Sequence, residues 1–127
     1  MSMTAEQKVI RALRWVAKHP DRWASLRELV GRLAAEGHYV QRGSVYLLAC
    51  QAGMTIQEAS VFKRDHNLWS VLSRYMAMLD PSVLRAVRYR ESDVDGVDLE
   101  GMWRCVVGPQ SFAAGSLAEA RAMWEAA

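Results

Sequence analysis

The chain has 127 residues, 51% of them hydrophobic and 24% charged, with a formal net charge of +2. That length and balance describe one globular domain with a real core, and they argue against disorder. No apolar run approaches the ~20 residues that span a bilayer, and the opening "MSMTAEQKVIRALRW" lacks the unbroken apolar block of a signal peptide, so no membrane partner and a cytoplasmic location are expected.

Four pairs have the spacing of a capping box, in which a Ser/Thr and a Glu/Gln three residues on satisfy each other's backbone donors at a helix start. They are Thr4 with Gln7, Ser25 with Glu28, Thr55 with Glu58, and Ser116 with Glu119. The first helix is expected from about Ala5 to Lys18, with Val9, Ile10, Leu13, Val16 and Ala17 on one face. Pro20 closes it, because the residue before a proline avoids helix. The second is expected from about Leu26 to Glu36, with Leu26, Leu29, Val30 and Leu33 inward and Gly37 as the stop. A third covers about Gly43 to Gln51, and a fourth runs from the Thr55 cap to about Arg64. Asn67 caps a fifth, from Leu68 to Leu79.

Asp80-Pro81 is again a start signal, but residues 82–90 read equally as a short helix or a strand. The texture then changes. "RAVRYRES", "DVDGVD" and "GMWRCVVG" read as strand, turn and strand, with Asp95-Gly96 as the hairpin turn. "SLAEARAMWEA" is a terminal helix that lays Leu117, Ala120 and Met123 or Trp124 on the hairpin. The expected class is therefore α+β, mostly α. About five helices fill residues 1–82, and a β-β-α unit at 83–127 packs on them.

The stretch "LLACQAGMTIQEASVFKR" carries the functional signal. Ala49 is small where two helices would touch, and Gly53 suits a turn of positive φ. Thr55 caps the second helix, and Ile56, Ala59 and Phe62 share its inner face. Gln57, Ser60 and Arg64 lie outward, with Lys63 nearby. Gln and Arg can bond base edges bidentately, while Lys and Thr suit phosphates. The segment 45–64 resembles the helix-turn-helix superfamily of DNA-binding regulators, over about 20 residues. The resemblance implies that Thr55, Gln57, Ser60, Lys63 and Arg64 face double-stranded DNA. Glu58 on the same helix repels phosphate unless it serves only as the cap. A rival placement pairs "SLRELVGRLAAEG" with "QRGSVYLLACQAG" and would have Arg42, Ser44 and Tyr46 reading DNA.

Charge is uneven. Residues 1–90 hold 14 Lys/Arg and 7 Asp/Glu, a net +7; residues 91–127 hold 2 against 7, a net −5. This fits an anionic partner for the body, or a body that balances its own tail. Glu91, Asp93, Asp95 and Gly96 match positions 1, 3, 5 and 6 of an EF-hand loop, but Asp98 and Met102 break the match at 8 and 12. The acidic hairpin is instead a solvated surface open to a basic partner. His19, His38 and His66 show no zinc spacing, and Cys50 and Cys105 form no CxxC, so no metal or cofactor is expected and both thiols are expected buried. No nucleophile elbow or phosphate loop is present, so no enzymatic activity is expected.

The expected function is a small cytoplasmic DNA-binding regulator of bacterial or phage type, with the β-β-α unit serving a homodimer or a partner. The alternative is a non-enzymatic protein-protein interaction module, an inhibitor or adaptor. It would dock through Asp93, Asp95, Asp98, Met123 and Trp124.

Overall fold

In a computed structural model, which describes residues 2–127, the Thr4–Gln7 capping box forms and opens α1 (Ala5–Lys18). Val9, Ala12, Leu13 and Val16 are its buried stripe. The next helix starts earlier than its periodicity announced. Pro20 is the first residue of α2 (Pro20–Ala35), and His19 closes α1 and precedes α2 at once. A proline lacks the N–H that a first helical residue leaves unsatisfied anyway, so it begins a helix as readily as it ends one. The Ser25–Glu28 box therefore does not form, and Ser25 lies inside α2.

A single 3₁₀ turn (Arg42–Ser44) leads into α3 (Val45–Gln51). Two single-turn helices follow, α4 (Ile56–Ala59) and α5 (Val61–Arg64), meeting at Ser60. The long α6 (His66–Leu79) is capped by Asp65, whose carboxylate accepts from the Asn67 and Leu68 N–H groups. Asn67, the expected cap, sits inside the helix. α6 is buried from Leu68 to Met78 except at Ser70, and forms the centre of the domain.

The β-β-α expectation fails: helices and 3₁₀ turns are the only regular structure of the described residues, with no strand and no sheet. Residues 82–90 divide into a 3₁₀ turn (Pro81–Arg85) and an irregular segment. In place of the Asp95-Gly96 hairpin there is another 3₁₀ turn (Asp93–Gly96), closed by a capping box between Ser92 and Asp95. Of "GMWRCVVG", the first six residues lie in α7 (Leu99–Val106), capped by the Asp98 carboxylate on the Gly101 N–H. Leu99 and Trp103 stand four apart on its buried side, a helical spacing that the apolar run concealed. Short polar residues at both starts offered the backbone local caps, and those won over a strand ladder. The chain ends in α8 (Leu117–Ala126), capped by Ser116. Glu119 completes this start from one residue further out, accepting from the Gly115 N–H.

Trp23, Tyr75, Trp103 and Phe112 form an aromatic core with ring centroids 5.0–6.0 Å apart. The Tyr75 hydroxyl donates to the Leu99 carbonyl at 2.7 Å, which ties α7 to α6. Burial pushes that phenol far above its ordinary range. Leu117 and Ala120 of α8 pack on Ala77 and Ala114, with Leu84 and Tyr89 alongside. Cys105, expected to be buried, is exposed on α7, and Cys50 is half-buried. No described helix is long and apolar enough to cross a membrane.

Candidate nucleic-acid interface

Between α3 and α4 lies a short turn, Ala52–Thr55. Gly53 holds φ +98°, which a side chain would strain. The Met54 N–H returns to the Ala49 carbonyl at 3.1 Å and closes the turn. The Thr55 hydroxyl accepts from the Glu58 N–H, and the Glu58 carboxylate accepts from the Thr55 N–H. Ala59 and Phe62 are buried beneath the second helix, and Phe62 meets Trp15 of α1 edge-on at 5.8 Å. The corner is therefore seated on α1 through one aromatic contact.

Arg22 of α2 clamps the same turn. Its Nη1 donates to the Gly53 carbonyl and its Nε to Glu58 Oε2, both at 3.0 Å. The Thr55 N–H, and then Arg22, hold the Glu58 carboxyl below its usual range against partial burial. Glu58 thus serves as cap and clamp. A second neutralisation lies at the end of α5, where Arg11 of α1 reaches Asp65 at 3.0 Å. Glu58 and Asp65 are the only carboxylates in residues 37–79.

The five expected DNA-facing residues lie along Thr55–Arg64 in different surroundings: all are exposed except Ser60, which is half-buried. The Thr55 hydroxyl accepts within the cap and keeps its proton free to donate. The Ser60 hydroxyl donates to the Ile56 carbonyl at 2.6 Å, so its proton is committed. Gln57 and Arg64 border a cleft of about 160 Å³ beside Trp15, His19, Arg22 and Met54. Lys63 turns the other way and lies 3.9 Å over the Tyr46 ring of α3. Neither Lys63 nor Arg64 meets a carboxylate among the described residues. The rival placement does not make a tight corner: residues 36–41 separate α2 from the Arg42 turn, and Tyr46 lies beneath Lys63.

Sequence reasoning put Ile56 on the inner face, but it is 72% exposed. As the first residue of α4 it precedes the turn that Ala59 and Phe62 press inward. It also missed the neighbours on α1. Arg14 and Lys18 follow Arg11 by three and seven residues, so they share its side of the helix, and both are exposed and unpaired among the described residues. Only knowledge that α1 packs against α5 could have joined them to this site.

The acidic residues proposed for a protein partner have internal duties. Asp93 pairs with Lys8 at 3.0 Å, and Lys8 holds its carboxyl low. Asp95 grips Arg74, and Asp98 caps α7. Met123 and Trp124 do face outward, at the end of α8. No group of three or more His, Cys, Asp or Glu side chains among the described residues is placed to hold a metal ion. Comparison with the profiles of known protein families, with curated proteins and with solved structures returns no match.

Proposed function

We propose that the chain is a cytoplasmic DNA-binding regulator of the bacterial or phage type, and that the α3–α4–α5 corner meets duplex DNA. One observation carries the reading. Both carboxylates of residues 37–79 are paired with an arginine of another helix, Glu58 with Arg22 and Asp65 with Arg11, which leaves Lys63 and Arg64 without a carboxylate partner among the described residues. A surface that met a neutral partner would gain nothing from that arrangement. A polyanion rewards each free cation and penalises each bare carboxylate. The tight turn at Gly53 and the Thr55 cap support the reading, since such a corner presents its second helical segment to a groove. Gln57 and Arg64 are the side chains for base edges, and Thr55 and Lys63 for the backbone.

The test is binding to mixed-sequence duplex at low salt, for the wild type and for Gln57→Ala with Arg64→Ala. Binding by the wild type and its loss in the double variant, at unchanged melting temperature, is the expected result. Absence of binding, or a double variant that binds as well as the wild type, refutes the proposal. The docking alternative keeps only Met123 and Trp124 as unengaged residues, since Asp93, Asp95 and Asp98 all have partners within the chain.

A further inference from the structure

We infer that Ile56 reads the C5-methyl group of a thymine, and that this contact gives the corner part of its sequence preference. The inference rests on the DNA-binding proposal and extends it to one base.

Ile56 is the most exposed large hydrophobic side chain of the described residues, at 72%, ahead of Leu47 at 60%. It is also held still. It follows directly on Thr55, whose box with Glu58 fixes the helix start, and Arg22 braces that box from α2. A β-branched side chain has little χ1 freedom to lose, so its outward position is set before any partner arrives. The first residues of the second helix are the ones that meet base edges when such a corner docks. Gln57 and Arg64 are exposed on the same two short helical turns as Ile56, so donors lie near the apolar group along the chain. In the major groove only thymine presents an apolar group, its methyl, beside hydrogen-bonding atoms. An apolar protein partner fits this setting poorly, because docking it would bury Lys63 and Arg64 without a counter-charge.

The experiment selects duplexes from a random pool with the wild-type protein, then replaces each thymine of a selected site with deoxyuridine, which removes only the methyl. Replacement at one position of the half-site should weaken binding about 3–5-fold, the worth of one buried methyl. Ile56→Ala should fold normally, bind the parent duplex about that much more weakly, and lose its sensitivity to the replacement. Leu47→Ala removes similar apolar surface from α3 and should keep full sensitivity. Deoxyuridine tolerated at every position overturns the inference while the DNA-binding proposal stands. Sensitivity that survives in Ile56→Ala overturns it as well. Failure of the wild type to bind any duplex overturns both.

Discussion

Salt dependence converts the geometry of the corner into a number. Arg14 and Lys18 of α1 and Lys63 and Arg64 of α5 are exposed cations that meet no carboxylate among the described residues. Each phosphate that a cation neutralises releases condensed counterions, so four contacts give a log–log slope of about −3.6. Raising salt from 50 to 200 mM should then weaken duplex binding roughly 150-fold. Lys63→Gln with Arg64→Gln should reduce the slope to about −1.8, and the same change of salt should cost only roughly 12-fold. Arg22→Gln makes the contrast. It bares Glu58, so affinity falls at every salt concentration while the slope holds. Fluorescence anisotropy of a labelled duplex across a salt series gives all three lines. A Lys63/Arg64 variant whose line runs parallel to that of the wild type would refute the reasoning, because it would place those cations away from phosphates.

Four further outcomes follow from the fold. Gly53→Ala should destabilise the domain by about 1–2 kcal/mol, because φ +98° strains any Cβ; urea unfolding measures it, and no change would mean that the turn relaxes. Arg74 is 2% exposed and donates to Asp95, Ser70 and the Arg90 carbonyl, so Asp95→Asn leaves a buried guanidinium facing neutral acceptors. Loss of one partner from a buried pair costs about 3–5 kcal/mol, and the partial exposure of Asp95 brings the expectation to about 2–3 kcal/mol; a loss under about 0.5 kcal/mol would show that water replaces the pair. Burial pushes the Asp95 carboxyl up, but the Arg74 hydrogen bonds and the Ser92 N–H outweigh it and hold the group below its ordinary range. A depressed folded value contributes stability above the unfolded value of about 3.9 and loses it as pH falls further, so acid unfolding should be steep below about pH 4 and shallower in Asp95→Asn. Trp103→Ala, which empties the centre of the aromatic core, should cost about 3–5 kcal/mol in the same unfolding assay.

The helices with strong local signals were legible from sequence. Thr4 with Gln7 and Thr55 with Glu58 form boxes as their spacing requires, and Gly53 takes the positive φ that its turn requires. The misses share a physical cause. Pro20 and Pro81 each admit two local readings, and contacts from distant residues choose between them. "GMWRCVVG" is apolar enough for strand and helix alike, and the Asp98 cap with Trp103 packed on Tyr75 decides for helix. Ser25 had a good box, but the chain around it was already helical, so its signal was spurious. Helical period places Ala59 and Phe62 inward, as they are, but it also places Ile56 inward, whereas the start of α4 leaves it exposed. The Arg22 clamp, the Arg11–Asp65 pair and the α1 cations do not follow from it, since no local pattern shows which helices touch.

The division of charge between body and tail acquires its meaning in the same way. A net of −5 on residues 91–127 could have formed an acidic ridge for a basic partner, or could have cancelled the basic body across its whole surface. It does neither. Asp93 goes to Lys8 near the start of α1, and Asp95 goes to Arg74 inside α6. Both are far in sequence from the cations at the end of α1 and on α5. Lys8 and Arg11 are engaged, while Arg14 and Lys18 further along the same helix are free. The tail thus acts as an internal counter-ion for one end of α1 and for the core of α6. The exposed cations left without a carboxylate among the described residues fall in two sets: Arg14, Lys18, Lys63 and Arg64 on α1 and α5, and Arg32, Arg42, Arg85, Arg88 and Arg90 elsewhere on the surface.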